Sequence, residues 1–172
     1  MPATGREFVT ESIRYLRDVY LPRLELAAQA LPTGDLWWQP HPGCLSFGNV
    51  LLHLEGNIRQ WLVSGLGEGA DQRDRASEFR ATDGQEVGAL LRRLRETIDA
   101  AVATFEDFDE QDLTRAFEIQ SFKTTGQNAI YHVVEHFSWH TGQAVWIAKA
   151  RSGPHHGVAF YDDEKMNAAR NG

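Results

Sequence analysis

Four long stretches of this chain carry apolar residues three and four positions apart, and no stretch of any length alternates apolar with polar. That spacing matches the 3.6-residue period of a helix and not the two-residue period of a strand. The first stretch, from about Glu7 to Leu31, aligns Ile13, Leu16, Tyr20, Leu24 and Ala27. Pro22 interrupts it and is expected to bend it, because proline supplies no backbone N–H. The second opens at Ser46, an N-cap residue type, and runs to about Ser64 with Val50, Leu51, Leu54, Ile58, Trp61 and Leu62 on one face. The third, from about Gly84 to Phe105, aligns Val87, Leu90, Leu91, Leu94, Ile98, Ala101, Val102 and Phe105. The fourth runs from about Thr124 to Arg151 and stops at Ser152-Gly-Pro154. Between them, Leu31 to Leu45 is a Pro- and Gly-containing loop, and Gly65 to Asp83 is a Gly- and charge-rich connection. Glu106 to Asp112 reads as an acidic, solvated loop, and the tail beyond Pro154 as a turn or small helix. Four such helices predict an all-α fold, an antiparallel four-helix bundle in one domain over residues 1–172. The connection after the second helix, roughly 19 residues, is long enough to be a crossover.

Composition narrows the function. The net charge is −7 and there is no basic tract, which argues against nucleic acid or an anionic membrane as partner. No apolar run approaches the ~20 residues of a membrane span, and residues 1–10 hold no apolar signal core. Cys44 is the single cysteine, so an internal disulfide and a cysteine-cluster metal site are both excluded. The expectation is a soluble, cytoplasmic protein acting on a small molecule.

The histidines carry the chemistry. His132, His136 and His140 recur every four residues in the fourth helix. Adjacent members of such a series lie one turn apart on the same face, and two imidazoles so placed converge on one ion at about 2.0–2.1 Å. His132 and His140 are separated by about 12 Å along the axis, so one ion takes an adjacent pair. With His132 at zero on the helical wheel, His136 falls near about 40° and His140 near about 80°, while the apolar arc spans roughly 100–160°. His136 and His140 therefore border the interior, and His132 points further out, toward Gln143, Trp139 and Trp146. The favoured pair is His136 with His140, and a set shifted to His132 stays open. In the second helix His53 sits at the edge of the buried face, with Asn57 one turn on. Three neutral imidazoles with open coordination describe a catalytic-type metal site rather than a closed structural one.

Other signals are weaker. His132-Val-Val-Glu-His136 matches the inverted zinc-protease string. Glu135 lies about 100° from His136, however, and points outside the pocket. Neither Glu55 nor Glu135 has a histidine three residues on, so a ferritin-like di-iron site fails. The acidic run from Glu106 lacks the glycine and terminal glutamate of a calcium loop. His155-His156 is incidental, and Cys44 is a reactive thiol only if exposed.

The run from Ser46 through His53 to Gln60-Trp61, with Glu135-His136-Phe-Ser-Trp-His140-Thr-Gly-Gln143 much later, resembles the DinB-like superfamily. The resemblance covers the order and length of the four main helices. Gly56-Asn-Ile-Arg-Gln-Trp61 and the stretch from Arg73-Asp-Arg75 to Phe79 look like a subgroup within it. The resemblance implies a bundle with a long crossover between helices two and three, and a homodimer. It also implies a divalent metal, zinc or nickel, held by His53, His136 and His140. Relatives of this kind are thiol-dependent transferases or isomerases that use bacillithiol, mycothiol or similar low-molecular-weight thiols. The expected function is a metal-dependent thiol transferase acting on a small electrophile, with Asn57 and Gln143 as candidates to orient ligands or substrate. The alternatives are a metal-dependent hydrolase and a non-catalytic metal-binding or dimerisation module of stress response. Tyr131, Trp139 and Trp146, on a flank away from the apolar arc, supply a candidate dimer face.

Overall fold

The computed structural model describes residues 3–67, 69–106 and 108–161. Its first rod joins α1 (Ala3–Arg14), a wider π-helical segment (Tyr15–Tyr20) and α2 (Leu21–Ala30) without a break. Pro22 lies just after the π segment, where Leu21 N–H bonds back to the Leu16 carbonyl. The missing N–H is thus accommodated by a widened turn before the proline. The second rod is α3 (Phe47–Ile58) with a π segment (Arg59–Leu66), the third is α5 (Val87–Thr104), and the fourth is α7 (Gly126–Ser152). Two short helices, α4 (Arg75–Arg80) and α6 (Glu110–Thr114), sit in the connections.

Contacts fix the directions of the rods. Tyr20 stacks on Phe137 at 5.7 Å and Ser152 Oγ donates to the Ala30 carbonyl, so rods one and four run parallel. His53 lies beside His136 and His140, whereas Trp61 lies against His132, so rods two and four are antiparallel. Arg93 donates to Glu55 Oε2, while Gly67, twelve residues on, lies against Thr104. Rods two and three are therefore parallel neighbours. The antiparallel reading fails for that pair, and the connection 67–86 is a true crossover that returns along the bundle. Leu21, Leu24, Leu54, Ile58, Leu94, Ile98, Ile130 and Phe137 are fully buried at the shared core; each such side chain stabilises the fold by about 1.5–3 kcal/mol.

The connections hold more structure than their sequence indicates. Residues 116–125 form a hairpin, Ala116–Ile119 against Phe122–Thr125, with Ile119 opposite Phe122. Its turn residues Gln120 and Ser121 both have positive φ. Strands of four residues, joined by a turn without glycine or asparagine, leave no readable alternation. The acidic stretch is partly helical: Asp109 caps α6 through Gln111 and Asp112 N–H. The tail beyond Ser152 makes a turn at Pro154-His155 and no helix as far as Tyr161; residues 162–172 lie outside the described residues, as does Asp107. No helix among the described residues is long and apolar enough to cross a membrane.

Candidate metal centre

The start of α3 is set by Ser46 and Asn49. Ser46 Oγ accepts from Asn49 N–H, and Asn49 Oδ1 accepts from Ser46 N–H, a reciprocal cap worth about 1 kcal/mol. Asn49 Nδ2 also donates to the carbonyls of Glu78 and Ala81, both at 2.8 Å. One side chain therefore starts the helix that carries His53 and ties the crossover to it.

His53, one turn on, is buried at 5 % exposure. From α7, His140 is buried and His136 half-buried, with ring centroids 4.4 Å apart, as the one-turn spacing dictates. The centroid of His53 lies 4.9 Å from that of His136 and 4.8 Å from that of His140. Each of the three offers a nitrogen within 4.8 Å of the other two. The Nε2 atoms of His53 and His136 are 3.0 Å apart, close to the roughly 3.3 Å separating two ligands about 2.0 Å from a tetrahedral ion. These three residues could hold a metal ion, and no fourth His, Cys, Asp or Glu belongs to the cluster among the described residues. His132 packs tilted against Trp61 at 4.2 Å and lies outside it.

Electrostatics favour the ligating form. Burial, reinforced by the other histidines, lowers the His136 pKa to about 3. Burial and His53 lower His140 to about 4 against the opposing hydrogen bond from Gln143. Burial also lowers His132. His136 and His140 are thus neutral near pH 7, as metal binding requires.

Two of the three imidazoles are oriented from behind. His140 Nδ1 is 2.7 Å from Gln143 Oε1, so Gln143 touches the cluster through His140. His53 Nδ1 is 2.8 Å from Glu78 Oε2. Glu78 is gripped in turn by Arg73, whose Nε donates to Oε1 at 2.6 Å and Nη2 to Oε2 at 2.9 Å. Arg73 continues to Gln60 Oε1, and Gln60 Nε2 to Asp71 Oδ2. Both ionic side chains are under a tenth exposed. Burial acts to raise the Glu78 pKa, but the Arg73 and His53 hydrogen bonds and charges prevail and hold it below the usual carboxylate value. Phe79 packs on His53 at 4.9 Å.

His136 Nδ1 and Asn57 Oδ1 are buried without a hydrogen-bond partner among the described residues. Asn57 shares the buried face as its spacing indicates, but orients no imidazole through that oxygen. Glu78 and Arg73 were not legible as site residues. Their signals are Asp74, a helix-starting residue whose side chain caps α4 at Ser77, and a glycine in the middle of α3. A Cβ on Gly56 would stand 2.1 Å from Glu78 Oε1. Glu135 is exposed, away from the cluster.

Beyond Gln143 opens a cavity of 560 Å³, lined by Pro40, Cys44, Leu45, Trp139 and Trp146 among others. Cys44 is half-buried on its wall, with Sγ 3.2 Å from His41 Nε2. His156 Nδ1 accepts from Val158 N–H and serves its own turn.

A helical bundle with a buried three-histidine cluster is the class that fold and site define. The chain belongs to the family described as "Protein of unknown function (DUF1572)", whose model matches residues 3–156. The fold is DinB-like: the crystal structure of the DinB-like protein YjoA from Bacillus subtilis superposes with a TM-score of 0.64 at 18 % identity, covering 88 % of this chain and 98 % of that one. No curated protein matches.

Proposed function

We propose that this protein is a divalent-metal-dependent enzyme that transfers a low-molecular-weight thiol to a small electrophile, with zinc or nickel held by His53, His136 and His140. The observation that carries the reading is the convergence of three nitrogens from two rods within 4.8 Å, with no fourth His, Cys, Asp or Glu in the cluster among the described residues. A structural zinc site is normally closed by four protein ligands, whereas a catalytic one keeps a position open. A divalent ion there supplies Lewis acidity toward a thiol or water.

The chain's own residues do the remaining work. Gln143 orients His140 and also lines the 560 Å³ cavity, so in this reading Gln143 links a small molecule seated there to the cluster. Trp139 and Trp146 give that cavity apolar walls suited to a small electrophile. The same two residues, with Tyr131, are exposed on α7 and form the dimer face of a homodimer in this reading.

The test is reconstitution with Zn²⁺ or Ni²⁺, elemental analysis, and a screen of thiol and electrophile pairs. The reading expects one ion per chain and thiol consumption that depends on it. Metal-loaded protein that is inert with every common bacterial thiol but cleaves an ester or amide would replace transfer with hydrolysis. Metal binding without either activity would leave the non-catalytic module.

A further inference from the structure

Hydrogen-bond accounting around the cluster assigns a role to the crossover, whose described residues supply no ligand. The 3.0 Å contact between the Nε2 atoms of His53 and His136 needs one proton between them. If His53 carried it, His136 Nε2 would accept and His136 Nδ1 would bear the other proton. That atom is buried with no partner among the described residues, and an orphaned buried donor is rarer than an orphaned acceptor. The consistent arrangement has His136 Nε2–H donating to His53 Nε2 and His53 Nδ1–H donating to Glu78 Oε2 at 2.8 Å. Arg73 Nη2, 3.1 Å from His53 Nδ1, then spends its hydrogens on Glu78 Oε2 and the His53 carbonyl.

We propose that Glu78, clamped by Arg73, is a positioning residue that fixes His53 as the Nδ1–H tautomer, with the Nε2 lone pair facing the cluster. Any role in metal affinity rests on the metal reading above; the tautomer does not. A carboxylate behind a ligating histidine sets the ring orientation and raises ligand basicity, and its loss typically weakens metal binding about 10- to 100-fold.

The clamp makes the proposal sharp. Arg73 donates to both carboxylate oxygens, Nε to Oε1 at 2.6 Å and Nη2 to Oε2 at 2.9 Å. In Glu78→Met both acceptors are gone, and Arg73 Nη2, 3.1 Å from His53 Nδ1, turns its freed hydrogen to that atom. Nδ1 then accepts, and the proton moves to Nε2, where it blocks ligation. In the double variant Arg73→Met, Glu78→Gln no guanidinium competes, and the amide oxygen is free to accept from His53 Nδ1–H.

The experiment has two arms. Nitrogen-15 NMR of the metal-free wild-type protein reads the His53 tautomer directly; Nδ1–H is expected, and Nε2–H overturns the proposal whether or not any metal binds. Zn²⁺ titration then compares the wild type, Glu78→Met and the double variant, with thermal melts as control. Glu78→Met is expected to invert the tautomer and weaken Zn²⁺ binding at least about tenfold, and the double variant to recover part of that loss. Unchanged affinity in Glu78→Met, or a loss that merely follows the melting temperatures across the three proteins, overturns it. A wild type that binds no Zn²⁺ removes the metal reading and leaves the tautomer result standing.

Discussion

Gly56 and Glu78 approach so closely that a methyl group on the glycine would sit 2.1 Å from the carboxylate Oε1 and 2.9 Å from Arg73 Nε. The glycine lies inside α3, where alanine would ordinarily gain about 1 kcal/mol of helix stability. Gly56→Ala is therefore expected to reverse the sign of that substitution. The melting temperature should fall by several degrees, and Zn²⁺ affinity should drop with it because Glu78 is pushed from His53. A rise in melting temperature with unchanged affinity contradicts the described packing.

The cluster ranks the histidines. His53→Ala, His136→Ala and His140→Ala each remove one of three converging nitrogens and should weaken Zn²⁺ binding by about 100-fold or more. His132→Ala removes a ring that packs on Trp61 and on His136 without joining the cluster and should change affinity less than about threefold. The inverted-protease string requires the opposite ranking of His132 and His140. Isothermal titration of the four variants separates the two.

Acid should weaken the metal-free protein. His136 and His140 have folded pKa values of about 3 and about 4, below the ordinary 6.5, so between those values the unfolded chain binds more protons. Stability contributed by the neutral rings is present above pH 6.5 and is lost as the pH falls toward 4 and then 3. Glu78, also lowered, adds a loss of the same sign at lower pH. Denaturant melts of chelated protein should show a lower midpoint at pH 5 than at pH 7. Equal midpoints would contradict neutral, desolvated imidazoles.

Trp139, Trp146 and Tyr131 expose 63 %, 59 % and 64 % of their surface on one rod. With that face as a dimer contact, sedimentation at micromolar concentration should give a dimer, and Trp146→Glu a monomer. A wild-type monomer would remove the dimer claim.

What the sequence discloses and what it hides divide on a physical line. The angles of His136 and His140 follow from a helical period, and the burial edge of His53 from its own rod, so the trio is preferred before any packing is known, while a set shifted to His132 stays open and the family resemblance names the ligands. Ser46 as a cap is equally local. Glu78 and Arg73 belong to a connection whose six-residue helix is too short for periodicity, and they reach His53 only because the crossover folds back on α3. The hairpin is hidden for a similar reason: Ile119 is its only fully buried side chain, and its turn lacks glycine. The parallel course of rods two and three depends on where the crossover lies, which apolar stripes do not encode.

X-ray absorption at the zinc edge tests the shared ion most directly. On protein loaded with one equivalent of Zn²⁺, three imidazole nitrogens at about 2.0–2.1 Å are expected, falling to two in His53→Ala. Two or fewer imidazoles in the wild type, or a first shell that ignores the loss of His53, would contradict a centre built between the second and fourth rods.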